Sequence, residues 1–270
     1  LAAVGEAVVE KSGVLNLGVE GMMITGAVIG FIIAVNTQIP IYGFICAAIA
    51  GALLSILFAI LTQYLMSNQV ATGLGLTMVG LGLSALIGKP YEGIKSPTLT
   101  KLDIPILSEI PILGPMIFSH DIIVYFSILV VATVAFVIKR TRVGLILRAV
   151  GENQEAAHAL GYKVIRIRFL AIMFGGAAAG IGGAYISLAR VPQWTEGMTA
   201  GAGWIALALV VFASWKPWRV LVGAYLFGGI TVLQLNLQAI GVAIPVEILS
   251  MSPYLVTIVV LVGISLFGHH

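Results

Sequence analysis

Charge is what this sequence has least of. Only 9% of its 270 residues are Asp, Glu, Lys or Arg, against about 25% in soluble domains, while 60% are hydrophobic and the mean hydropathy is +1.10. No water-soluble fold of this length could hide so much apolar surface, so the chain is an integral membrane protein. Cysteine is almost missing. The lone Cys46 lies in an apolar run and reads as a small core hydrophobe, not as a redox or metal group. The four histidines are scattered, and His269-His270 end the chain like part of a tag or a truncated tail. There is no initiating Met, and Leu1-Ala2-Ala3-Val4 reads like the end of a preceding helix, so an earlier start is expected. The net charge of +3 comes from one central loop and reports topology; no nucleic acid polymer is expected as a partner.

Catalytic signatures are missing too. The nearest approach to an ATP-binding loop, Gly82 to Pro90, has one residue too many between its glycines. It also carries Pro90 where a Ser or Thr should hold magnesium. No HExxH, GxSxG or paired-cysteine motif occurs. An intramembrane protease or lipid hydrolase therefore has little support, and the chain is not read as an enzyme. It binds no cofactor of its own, and any energy from ATP must come through another subunit.

What is present is a series of apolar runs, near 14–36, 40–62, 70–88, 121–138, 165–189, 201–214, 219–238 and 253–267. They are long, rich in Ala and Leu, and lack the period-2 alternation of barrel strands. The expected fold is all-α: a polytopic membrane helix bundle of about eight hydrophobic spans, forming one transmembrane domain over residues 1–270. The run at 201–214 is short and reads as a broken or re-entrant element. Of the 32 glycines, Gly73, Gly75, Gly80, Gly82, Gly175, Gly176, Gly180, Gly182 and Gly183 fall inside spans, where small residues at three- and four-residue spacing let helices approach closely.

One polar stretch, 139–168, interrupts the apolar pattern. Seven of the fourteen Lys and Arg lie in it: Lys139, Arg140, Arg142, Arg148, Lys163, Arg166 and Arg168. The positive-inside rule places it in the cytoplasm. Lys11, 63–69, 216–219 and the C-terminus then fall inside, and 37–39, 89–120, 190–200 and 239–252 outside. The five prolines of 89–120 predict an ordered external hairpin or short helix. Within 139–168, Gly151-Glu152-Asn153 leads into about two helical turns over Gln154 to Leu160, with Gly161 as a left-handed cap. A helix so short needs a surface to rest on. In a membrane protein without its own ATPase, it suggests a docking element for a motor.

Polar side chains within spans are costly and mark candidate path residues. Glu20 lies beside Asn16, Gly18 and Gly21, and reads first as a structural carboxylate near the cytoplasmic end, held by a helix terminus or a basic residue. Asn68 and Gln69 open the third span, with capping the simpler role for Asn68. Gln234 and Gln238 share a helix face, which Asn236 does not. The candidate substrate-path set is Asn16, Glu20, Asn68, Gln69 and Gln234. Trp194 and Trp204 on the outer side, and Trp215 and Trp218 on the inner, read as interfacial anchors.

Four stretches in order carry a family resemblance: Lys11 to Met23 (KSGVLNLGVEGMM); Asn68-Gln69-Val70 with Thr72-Gly73; Thr141 to Ala157, containing Leu147-Arg148-Ala149-Val150-Gly151-Glu152-Asn153; and Leu207 to Gly229, containing Ser214-Trp215-Lys216-Pro217-Trp218. They resemble the permease subunits of bacterial ABC importers of the ribose and branched-chain-amino-acid type, closest to the nucleoside branch served by basic membrane lipoproteins. The likeness covers nearly the whole chain except 89–120. It implies an all-helical permease of the bacterial inner membrane that pairs with itself or a related permease. Two ABC ATPase subunits carrying ATP and Mg would dock beneath it, and an extracytoplasmic substrate-binding lipoprotein would deliver a nucleoside or simple sugar. The family's cytoplasmic coupling segment falls on Arg148, Gly151, Glu152, Asn153, Ala156, Ala157 and Gly161, and its early motif on Asn16, Gly18, Glu20 and Gly21. Two rival readings stand beside it. An ion-coupled secondary transporter would favour buried acids near the midplane, for which Glu20 is the early candidate. A membrane enzyme or scaffold finds no clustered polar site to support it.

Overall fold

A computed structural model describes residues 1–103, 105–106, 109–112 and 114–267. The expectation for His269-His270, and part of the proline-rich stretch 104–115, lie outside them. Eleven α-helices are found among the described residues. In chain order they are α1 (Ala2–Lys11), α2 (Val19–Thr37), α3 (Pro40–Ala59), α4 (Gln69–Gly88), α5 (Ile122–Arg140), α6 (Arg142–Glu152), α7 (Gln154–Ala159), α8 (Val164–Tyr185), α9 (Ala202–Phe212), α10 (Pro217–Ile240) and α11 (Val246–Phe267). Five-residue π-turns extend α3 through Tyr64 and α8 through Arg190. Six elements are long and apolar enough to cross a membrane, starting at Val19, Pro40, Gln69, Ile122, Val164 and Pro217. The protein is a multi-pass membrane helix bundle.

Differences from the sequence reading lie at helix ends. The first expected span, 14–36, begins as helix only at Val19, because 12–18 is a non-helical turn. The short run at 201–214 becomes α9, whose eleven residues reach roughly 16 Å at 1.5 Å per residue, about half of a ~30 Å hydrocarbon core. The last span starts at Val246 and not at 253, because Pro253 is accommodated inside α11 instead of stopping it.

At the centre, α2 and α3 pack on α8, with α1 against α8 on another side. α2 is buried nearly all round, so it carries no amphipathic stripe that periodicity could detect. The packing rests on small residues. A Cβ on Gly26 would strike the Gly180 carbonyl, one on Gly180 the Ala47 carbonyl, and one on Gly51 the Gly176 carbonyl. Such close backbone approach substitutes for the hydrophobic drive that lipid does not supply. By contrast, α11 packs chiefly on α10, which also touches α5, α9 and α1, and both helices expose many large apolar side chains.

After α4 come a 3₁₀ turn at Lys89–Tyr91 and a two-stranded antiparallel pair, β1 (Lys101–Asp103) with β2 (Ser119–Asp121). This stretch is tied to the segment after α8 by bridges Glu92–Trp194 and Lys95–Gln193, and the Ser96 amide donates to the Pro192 carbonyl at 3.1 Å. Trp194 is therefore not an interfacial anchor. It is 1% exposed and lies against Gly88, where a Cβ would meet the indole. Trp204 and Trp215 are tied to the protein interior by hydrogen bonds described below.

Gly180→Leu should lower stability in detergent by about 1–3 kcal/mol or abolish folding through overpacking. Gly228→Ala, at a position with open space, should leave the thermal unfolding temperature unchanged.

Candidate functional site: an elbow of two short helices, a broken helix and a cavity

The basic stretch folds into two helices, α6 and α7, where one was expected. Thr141 caps α6, its hydroxyl accepting from the Gly144 amide at 3.3 Å and donating to the Val137 carbonyl at 2.7 Å. Gly144 lets α6 turn back tightly on the end of α5, since a Cβ there would hit the Val137 carbonyl. Gly144, Leu147 and Val150 are buried, while Val143 and Leu145 face out. That three-residue spacing is the signal in 141–152 that would have revealed α6.

α7 matches its sequence signature closely. The Asn153 side chain accepts from the Ala156 amide at 2.9 Å, capping the helix. Gly161, at φ +88°, ends it with its amide donating to the His158 carbonyl at 2.9 Å. Arg148, Glu152, Asn153 and Ala156 are exposed, whereas Ala157 is buried. Ala157 thus seats α7 on the body of the protein.

The surface that the short helix needs is the turn after α1. Gly151 lies against the Lys11 carbonyl and the Gly13 amide, where a Cβ would clash. Gly13 itself, at φ +86°, has Gly151 as a close neighbour. Arg168 Nε donates to the Ser12 carbonyl at 2.9 Å, and its Nη1 to Gln154 Oε1 at 2.8 Å. One guanidinium thereby joins the turn, α7 and α8. Partial burial, with Arg148 and Lys216 nearby, pulls the Lys11 ammonium below its usual range, and Glu152 opposes that shift.

The turn at 12–18 continues inward as a break between α1 and α2. Non-helical backbone at membrane depth is tolerated only where the protein satisfies its polar groups. Here the Leu15 amide donates to Gln69 Oε1 at 3.0 Å, the Asn16 amide to Glu6 Oε1 at 3.1 Å, and the Gly18 amide to Asn16 Oδ1 at 2.9 Å. The Leu17 carbonyl accepts from Trp204 Nε1 at 3.2 Å and Thr77 Oγ1 at 3.3 Å.

Glu20 closes this arrangement. Its Oε1 accepts from Thr199 Oγ1 at 2.5 Å and the Gly201 amide at 2.9 Å, and its Oε2 accepts from the Gly203 amide at 2.6 Å. The amide end of the neighbouring helix α9 thus holds the Glu20 side chain. Of the two partners expected for Glu20, a helix terminus or a basic residue, the structure shows the helix terminus, at the end of α9 remote from Lys216.

The five path candidates therefore separate. Asn16, Glu20 and Gln69 meet around the break. Asn68 caps α4, accepting from the Ala71 amide at 3.0 Å. Gln234 lies elsewhere, on the wall of a cavity of about 1080 Å³ bounded by α1, α2, α5, α8, α9, α10 and α11. Tyr185, Arg190, Thr199, Tyr225 and Tyr254 share that wall. The cavity was not legible in the sequence beyond Gln234, although Ala224, Phe227, Thr231 and Gln234 recur at helical spacing along α10. Gln69 instead borders a cleft of about 250 Å³ with Glu10, Gly13 and Trp215. No cluster of three or more metal-ligating side chains occurs among the described residues.

Comparison with known proteins agrees with this architecture. Residues 1–263 match the family described as branched-chain amino acid transport system / permease component. The chain is 40% identical over 283 aligned residues to the Haloferax volcanii protein named “Putative glucose ABC transporter permease protein TsgC13”, covering 97% of this chain and 86% of the relative. It is 33% identical to the guanosine ABC transporter permease protein of Bacillus subtilis, over 97% of this chain and 87% of that protein. It is 31% identical to the nucleoside ABC transporter permease protein of Lactococcus lactis, over 96% and 86% respectively. No solved structure matches. Membership of this family implies partnership with an ATPase and a substrate-binding protein. The chain belongs to the branched-chain amino acid transport system / permease component family, and it is the membrane-spanning permease subunit of an ATP-driven importer, a transport component and not an enzyme.

Proposed function

We propose that this permease carries a nucleoside or a simple sugar inward across the bacterial cytoplasmic membrane, through the cavity walled by Gln234. The observation that most supports this is chemical. Neutral hydrogen-bonding groups (Thr199, Thr231, Gln234), with the cation Arg190, share the wall with the rings of Tyr185, Tyr225 and Tyr254 in a space matching the upper range of small-molecule sites, ~300–1,000 Å³. A nucleoside and a sugar are both uncharged, hydroxyl-rich rings suited to such a wall. The relatives named for glucose, guanosine and nucleosides favour the same two classes.

In this reading residues 1–270 act as a single permease domain. It pairs with a second copy or a related permease, and its C-terminus lies in the cytoplasm. An extracytoplasmic lipoprotein delivers the ligand to the outer side. ATP and Mg are bound by the partner ATPases, whose docking surface is the α6–α7 elbow within 139–168. Arg148, Glu152, Asn153 and Ala156 supply its exposed face. Gly151, Ala157 and Gly161 give it shape and seat it on the protein. Nucleotide-driven closure of the ATPases moves the elbow, and the spans alternate access between the two sides. Of the path candidates, Gln234 contacts ligand, whereas Asn16, Glu20, Asn68 and Gln69 hold the scaffold around the path.

Ala156→Asp, on the exposed face of α7, should leave membrane insertion intact and reduce ATP-driven uptake in proteoliposomes at least tenfold. Unchanged uptake and unchanged ATPase docking would remove the elbow from its assigned role. Ala157→Asp should unseat α7 and accelerate amide exchange across 154–160, which Ala156→Asp should not.

Gln234→Leu should raise the KM for the transported ligand several-fold with little change in ATPase activity. The ligand itself is identified by competition: excess guanosine or excess glucose should suppress uptake of the labelled substrate. Suppression by neither, with suppression by a branched-chain amino acid, would overturn the substrate class.

A further inference from the structure

The half-helix α9 is held at both ends by one short stretch of chain, Glu10 to Glu20. At its N-terminus the Glu20 carboxylate takes the Gly201 and Gly203 amides and the Thr199 hydroxyl. In its first turn Trp204 Nε1 donates to the Leu17 carbonyl. Just beyond its C-terminus, Trp215 Nε1 donates to Glu10 Oε2. The same stretch also carries the elbow: Lys11 and Gly13 lie against Gly151, and the Ser12 carbonyl is held by Arg168. On the far side, Thr199, Ala200 and Ala202 of the α9 approach form part of the cavity wall.

The backbone around α9 fits a body that moves as a unit. Ala200 (φ 46°) precedes it, and Ser214 (φ 50°) and Trp215 (φ 55°) follow it, all three in the left-handed region that disfavours residues with a side chain. Hinges absorb backbone change at such element-terminal positions. α9 itself is eleven residues of regular helix with close packing at Gly203, where a Cβ would strike the Glu20 backbone.

We propose that Glu10–Glu20 is a clasp that transmits movement of the α6–α7 elbow to α9 and so to the cavity wall, with Glu20 and Trp215 as positioning residues for transport. This rests on the elbow being the ATPase contact. Neither residue touches ligand; each fixes one end of α9 to the stretch on which the elbow sits. An isosteric amide at Glu20 turns its NH₂ towards an N–H donor and loses one of the two amide contacts while preserving volume. Phe at Trp215 removes only the N–H.

The test uses the full transporter with its ATPases in proteoliposomes, reading uptake, ATPase activity and ATPase docking separately. Glu20→Gln and Trp215→Phe should each retain docking and ATP hydrolysis but lower the number of ligands moved per ATP by about tenfold. The double variant should lose little more than the worse single variant, because both act on one body. Normal stoichiometry in both single variants would overturn the clasp, as would independent, multiplicative losses in the double variant. Trp215→Phe lies near the surface and keeps the test decisive if Glu20→Gln does not fold. Failure of the elbow reading is distinguishable: there Ala156→Asp retains uptake. If Ala156→Asp uncouples while the clasp variants transport normally, only the clasp is refuted.

Discussion

A carboxylate on the amide end of a half-helix organises this permease. Backbone N–H groups that open a helix inside an apolar medium have no water to turn to, and each one left unpaired costs about 1–3 kcal/mol. Glu20 supplies acceptors for two such amides and a hydroxyl at once. The helix end in turn offers the positive potential that makes a buried carboxylate tolerable. Each feature is expensive alone and inexpensive together. The pairing fixes the start of α9, and the chain leading into it from Arg190 forms part of the cavity wall. The break at 12–18 obeys the same constraint with different partners: Glu6, Asn16, Gln69, Thr77 and Trp204 satisfy its backbone.

Around these two interruptions the bundle is held by close backbone contact. α8 meets α3 at Gly176 and Gly180, α2 at Gly180 and Gly183, and α1 at Gly175, in each case where a Cβ would clash. Helices so packed have few intermediate arrangements and move as rigid bodies. Motion is then directed to the non-helical joints, and those joints lie next to the α6–α7 elbow and the cavity. Packing and function are linked through this division between rigid contacts and polar breaks.

Much of this was legible in the residues. Hydropathy and length gave the long spans, because a helix in lipid must be apolar over its whole length. The Asn153 cap and the Gly161 stop gave α7, because those positions solve a local backbone problem that sequence states directly. Gln69 and Asn16 stood out for the same reason: a polar group in an apolar run is rare. What could not be read is how distant groups pair. Glu20 and Gly203 are separated by most of the chain, and nothing in either neighbourhood names the other. Trp194 resembled an interfacial anchor because composition cannot distinguish an indole at a surface from one sealed against Gly88. α6 was hidden by its basic residues, which drew attention to topology and away from the buried Gly144, Leu147 and Val150. The cavity escaped because its wall is assembled from seven helices, each contributing residues that look ordinary in their own span.

The mechanical link between the elbow and α9 is the central claim, and a distance measurement addresses it most directly. With Cys46 replaced by Ala, spin labels at Leu53→Cys on α3 and Val211→Cys on α9 both occupy exposed positions. Their separation is read by double electron–electron resonance in the assembled transporter, with and without ATP. The expected result is a shifted distance distribution on ATP binding that is lost in Glu20→Gln. An α3–α9 distance unaffected by ATP in a transporter that still imports its ligand would contradict it.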